Sequence, residues 1–228
     1  MTIALLCPTK GRPVECERMV KSVRATSSMR IPIYLAAKEP YENITHSVSE
    51  TEWTIMPEGM PTAYKWNLLA EKAMQDQSIK LFMLCADDVI FTTPCWDKAL
   101  LDHYNALENK IHVYHLRDSR NPAGTPHPIV TREYIQAMGY FLPPIFLHWF
   151  VDTWTVDIAR LNGCFTHLKD YELQHIKPSD EGKPDATHTG IRTMGWHQRD
   201  AWVAEKCQHF LELEKRRLMT HFIKGVVV

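Results

Sequence analysis

The sequence predicts an α/β fold with a mostly parallel central sheet flanked by helices. Three observations carry it. Short apolar runs alternate with helical patterns through the first half of the chain. The runs end in loop-forming residues, as buried strands do. No internal repeat or low-complexity tract interrupts the order. Strand–helix alternation of this kind implies crossover connections and parallel pairing.

Thr2 to Cys7 reads as the first strand, stopped by Pro8-Thr9-Lys10-Gly11-Arg12-Pro13, and Val14 to Ala25 as a helix. Arg30 to Ala37 and Thr51 to Met56 read as the second and third strands. Pro61 to Met74 is a helix with proline at its start, where a missing N–H costs nothing. Lys80 to Leu84, Ile111 to Leu116 and Ile129-Val130 complete the expected strands, with helices over Pro94–Asn105 and Arg132–Gly139. Asp118 to Pro128 is a loop, and Lys177 to Gly195, rich in Gly, Pro, Asp and Thr, is read as a long loop. Arg199 to Lys224 reads as one C-terminal helix. No linker divides the chain. We read residues 1–228 as a single domain: a ligand-binding half at 1–116, a catalytic half at 117–196 and the terminal helix at 197–228.

The bulk numbers exclude several classes. The chain has 228 residues, 45% apolar and 23% charged, with net charge −1. That is a globular composition with no global field to attract nucleic acid or anionic lipid. The six cysteines form no CxxC pair and lack zinc spacing, so they read as reduced core residues. No apolar stretch reaches the length of a membrane span, and the first residues lack a basic segment before a long apolar run. The expectation is a cytoplasmic protein without a membrane span.

One stretch carries the chemistry. In "KLFMLCADDVIF" an apolar strand ends in two adjacent carboxylates, Asp87 and Asp88. Ligands of open α/β sheets bind beyond the carboxyl ends of strands. Two carboxylates there repel and cost desolvation, so something positive must compensate. A divalent cation on a diphosphate is one such group. An isolated Asp pair would otherwise read as a helix cap and a solvated side chain.

The order of motifs resembles GT-A fold glycosyltransferases of the family 2-like type, including short soluble members from phage and bacteria. The matching segments are "CPTKGRP", "PTAYKWNLLAEKA", "CADDVIF", "VDTWTVDIARLNG" and "YELQHIKP" with "GKPD" behind it, spanning Thr2 to Asp185. The resemblance implies a nucleotide-sugar donor, uridine diphosphate by family habit, and Mn²⁺ or Mg²⁺. It implies that Pro8, Thr9 and Arg12 border base and ribose, with Glu39 near the base. Lys65 and Asn67 face the nucleotide or its phosphates. Asp87 and Asp88 hold ribose and metal, Asp88 being the metal ligand with His175, and His188 stands in reserve. Asp152 matches the catalytic carboxylate, a general base for an inverting transfer. Two departures stand out: Ala86 occupies the first acid position of the DxD frame, and Val151 that of the family's Glu-Asp pair.

Two other functions fit parts of this pattern. A nucleotidyltransferase also needs metal-held carboxylates, though "PTKGRP" is poor in glycine for its phosphate loop. A non-catalytic nucleotide-sugar-binding protein would explain the missing first acid. The acceptor is open: a glycan, a small molecule or a hydroxylated base in DNA. Lys206, Lys215, Arg216, Arg217 and Lys224 are interleaved with Glu205, Glu212 and Glu214, which reads as a solvated helix face.

Overall fold

The computed structural model describes residues 1–45, 51–57, 59–122, 124–182 and 186–224. Among these, the strands form one eight-stranded sheet ordered β3-β2-β1-β4-β7-β6-β8-β5. Strands β1 (Thr2–Pro8), β2 (Ile33–Ala37), β3 (Thr51–Ile55) and β4 (Ile79–Leu84) are mutually parallel. The far half is mixed. β7 (Ile129–Thr131) runs antiparallel to both β4 and β6 (Val113–Asp118). β8 (Phe165–His175) is parallel to β6 and antiparallel to β5 (Val89–Phe91). The antiparallel strands arise where a plain loop, not a crossover helix, returns the chain to the sheet.

Helices α1 (Pro13–Thr26) and α4 (Trp96–Ala106) cover one face; α3 (Thr62–Ala73), α5 (Arg132–Met138) and α6 (Val151–Leu161) cover the other. α2 (Glu42–Thr45) is a single turn that follows β2 and lies against α1. Successive side chains of β1 alternate between the two cores: Ile3, Leu5 and Cys7 on one side, Ala4 and Leu6 on the other. Burial on both faces is why these strands read as continuous apolar runs.

The expected loop at Lys177–Gly195 contains a 3₁₀ turn, Pro178–Glu181, and helix α7 (Ala186–Thr193). Its small polar residues are weak helix formers and mask the element. "GKPD" falls partly on residues 183–185, outside the described residues, as does the His188 side chain. The expected C-terminal helix is two, α8 (Trp196–Lys206) and α9 (Gln208–Lys224), parted at Cys207. α9 keeps the solvated face its charge pattern suggests, with Glu212, Arg216 and Arg217 exposed, but Glu214 is half-buried. Glu214 accepts from Trp154 Nε1 at 2.7 Å and from the Tyr140 hydroxyl, locking the helix to α6. No helix among the described residues is long and apolar enough to cross a membrane.

Candidate active site

The sheet places the site. β1, β2 and β3 are laid down in one direction, and β4 falls on the other side of β1. Ligands of α/β sheets bind at such a switch, outside the carboxyl ends of the strands. The ends of β1 and β4 supply Pro8-Thr9 and Asp87-Asp88, and between them opens a cavity of about 810 Å³. That is within the size range of nucleotide-scale ligand pockets. Pro8, Thr9, Arg12, Glu39, Lys65, Asp87, Asp88, Asp152 and His175 all line it.

Asn67 does not. Its side-chain oxygen accepts from the N–H groups of Phe141 and Leu142 at 3.1 and 2.9 Å, and its amide donates to the Leu142 carbonyl at 3.0 Å. It ties α3 to the chain between α5 and α6 and is not among the cavity-lining side chains.

The carboxylate pair is compensated from within the protein. Arg12 Nη1 lies 2.9 Å from Asp87 Oδ1 and 3.2 Å from Asp88 Oδ2. Thr9 donates to Asp87 Oδ2 at 2.6 Å. Burial and the charge of Asp88 push the Asp87 carboxyl above its usual range, against the pull of Arg12 and Thr9. Asp88 is also buried, but His175 and Arg12 outweigh that and hold it low. His175 lies between two carboxylates, Nε2 at 3.3 Å from Asp88 and Nδ1 at 3.3 Å from Asp118. Burial opposes its charge, yet Asp118 and Asp88 raise it to about 9.

Sequence reasoning missed several lining groups. The Tyr41 hydroxyl lies 3.2 Å from Thr9 Oγ1 and accepts from the Arg12 N–H at 3.3 Å. Trp66 donates Nε1 to the carbonyls of Leu6 and Cys85, at 3.0 and 3.3 Å, clamping β1 to β4 under the cavity floor. His127, which the sequence places only in a loop, also lines the cavity, and Asp118, expected in the same loop, is buried at the end of β6.

Asp152 comes to the cavity from a different element. It lies in the first turn of α6, after Phe150, whose φ of 67° turns the chain sharply into the helix. A non-glycine residue in that region stores about 1–3 kcal/mol of strain and marks a turn held by its surroundings. The surroundings here include Asp200 of α8, fully buried, whose carboxylate accepts from the N–H groups of Leu147, His148 and Trp149 at 2.8–3.1 Å. Asp200→Ala is therefore expected to destabilise the protein by at least about 2 kcal/mol, since it orphans three donors. Chemical denaturation checks this; a midpoint matching the parent's would show that the loop holds itself. Burial raises the Asp152 carboxyl to about 6, although N–H groups of the helix's own first turn pull it down.

The fold and cleft define the class: this is a GT-A-like α/β protein with its cleft at the β1/β4 switch. The chain superposes on S. aureus TarS with a TM-score of 0.60, at 11% identity over 79% of this chain and 38% of that one. Against TarS 1-349 in complex with UDP the TM-score is 0.58, at 12% identity over 79% of this chain and 62% of that one. The chain thus spans less than two thirds of these structures' length, and the likeness is one of fold. No protein-family model and no curated protein matches the sequence.

Proposed function

We propose that the protein is a glycosyltransferase that moves a sugar from a nucleoside diphosphate sugar, a UDP-sugar foremost, to an acceptor hydroxyl. The observation that carries this is the meeting, in one cavity, of the Arg12–Asp87–Asp88–His175 cluster with a carboxylate of raised pKa, Asp152 of α6. A neighbouring fold solved with UDP supports the choice of nucleotide.

In this reading Pro8, Thr9 and Glu39 border base and ribose, with Asp87 toward the ribose, and Lys65 faces the phosphates. His175, between Asp88 and Asp118, would hold a divalent cation. The fit is favourable, because these are oxygen and imidazole donors and Asp118 Oδ2 makes no hydrogen bond. When bound, such a cation neutralises charge on the departing diphosphate. The Asp152 carboxylate takes the proton of the acceptor hydroxyl. The acceptor oxygen bonds to the anomeric carbon as its bond to the diphosphate oxygen breaks, the electron pair leaving with the nucleoside diphosphate. A single carboxylate opposite the leaving group gives inversion, tested by the anomeric configuration of the product. The acceptor class is a glycan, a small molecule or a hydroxylated base.

The test is thermal unfolding with UDP, GDP, ADP and CDP, with and without Mn²⁺. A ligand of the native state at about 100 times its Kd stabilises by roughly 2.7 kcal/mol, which raises the melting temperature by about 5–11 °C. We expect such a rise with UDP and Mn²⁺ together. No rise with any nucleotide would sink the donor site. Pyrophosphate release from a nucleotide substrate would mark a nucleotidyltransferase instead. Binding without turnover would mark a protein that only holds the sugar nucleotide.

A further inference from the structure

Three titratable groups meet beside the carboxylate pair, two of them in the cavity wall. Asp118 closes β6, His127 lies in the loop before β7, and His175 ends β8. Asp118 Oδ1 accepts from the N–H groups of Arg120 and Asn121 at 2.9 and 2.8 Å, which fixes the carboxylate. Its other oxygen, Oδ2, is turned toward His175 Nδ1 at 3.3 Å and His127 Nε2 at 3.6 Å. That oxygen and both ring nitrogens of His127 make no hydrogen bond. Yet Asp118 is 0% exposed and His127 3%. Buried polar atoms left unpaired are uncommon and call for an explanation such as an ion. One ligand atom from each of the three residues lies within 4.8 Å of the others.

The other side of His175 is occupied differently. Asp88 Oδ2 already faces Arg12 Nη1 at 3.2 Å, and that nitrogen also reaches Asp87. A cation on the Asp88 carboxylate would stand close to a guanidinium and be repelled by it.

We propose that a divalent cation binds on the far side of His175, ligated by Asp118, His127 and His175, with Asp88 holding the second ring nitrogen of His175 as a positioning residue. This replaces Asp88 as the metal ligand expected from the sequence. His127 and His175 line the cavity, so the remaining coordination positions open toward it. Two imidazoles and one carboxylate suit Mn²⁺, Co²⁺ or Zn²⁺ and disfavour Mg²⁺, which prefers oxygen ligands. The site rests on the donor-site reading only for its role beside a diphosphate; its ability to bind metal does not.

The experiment is a titration of chelator-treated protein with Co²⁺, followed by its visible d–d absorption, without nucleotide. One equivalent is expected to bind and to be displaced by Mn²⁺ or Zn²⁺ but not by equimolar Mg²⁺. Asp118→Asn keeps the Oδ1 acceptor for the loop, and His127→Gln keeps polarity and approximate size. Each is expected to weaken Co²⁺ by at least about tenfold, while Asp88→Asn weakens it less than either. Far-ultraviolet circular dichroism of the metal-free variants confirms that they are folded. The proposal is overturned if the parent protein shows no Co²⁺ bands. It is equally overturned if Asp88→Asn abolishes them while folded Asp118→Asn and His127→Gln leave them intact. Calorimetry with UDP separates this from the donor site. Co²⁺ binding without UDP binding keeps the metal site and removes the donor reading. UDP binding by a protein that takes no Co²⁺ does the reverse.

Discussion

Replacing Arg12 with methionine is expected to lower the melting temperature by about 6–20 °C, because removing one partner of a buried ion pair costs roughly 3–5 kcal/mol. Methionine keeps much of the apolar stem and removes the guanidinium. What remains is two adjacent carboxylates, 5% and 3% exposed, with no arginine between them. Asp88 retains His175 at 3.3 Å, so the loss falls on Asp87, whose other side-chain partner is the Thr9 hydroxyl. Protonation is the available relief. A carboxyl with a raised folded-state pKa binds its proton more tightly when folded than when unfolded, so its destabilisation grows as pH rises and fades as pH falls. The deficit relative to the parent protein should therefore be largest above roughly pH 7 and narrow toward pH 5. Arg12→Lys should fall between the two, since a point charge cannot reproduce a guanidinium's fork toward two carboxylates. Thermal melts across pH measure all three. An Arg12→Met melt superimposable on the parent's would mean that Arg12 is not what holds the pair.

This arginine also shows where the sequence was readable and where it was not. The problem posed by Asp87-Asp88 was visible in the chain: two charges at the end of an apolar strand need a cation. That Arg12 supplies one depends on β1 lying beside β4, and the order of motifs implied that neighbourhood without giving the contact. In the β1–β4 half, β1, β2 and β4 were legible because both of their faces are buried and each is a mainly apolar run, whereas β3, TEWTI, is a partly exposed edge strand. The far half was less so. Asp118 reaches His175 through the β6–β8 register, which sets Asp118 opposite Leu173, and no local pattern in "LRDSRNPAGTPHP" encodes that pairing. Asp200 organises backbone more than 50 residues away, for the same reason. Asn67 went astray for a local one. It lies two residues from Lys65 on α3, about 200° around the helix, so the two side chains cannot face one cleft.

The second large effect concerns Asp152. Asp152→Asn is expected to lower the rate of UDP release from a hydrolysed or transferred UDP-sugar by about 10²–10⁴-fold, the range for losing a positioned base. UDP binding, read as the melting shift with Mn²⁺, should stay near the parent's, because Asp152 comes from α6 and not from the ends of β1 and β4 that supply the carboxylate cluster. The plainer role for this residue is that of an acid in the first turn of α6, favoured by the helix dipole. That role predicts a different result: less than about 1 kcal/mol of stability lost and turnover unchanged. The pH profile separates the two independently of rate. A base must be deprotonated to act, so turnover should rise with pH through about 6 in the parent protein. The residual rate of Asp152→Asn should lack that rise. A dipole acid would leave the profile of the variant like that of the parent. A variant that keeps both its rate and its acid limb would place the base elsewhere in the cavity, with Asp87 next to be tested as another cavity-lining carboxylate of raised pKa.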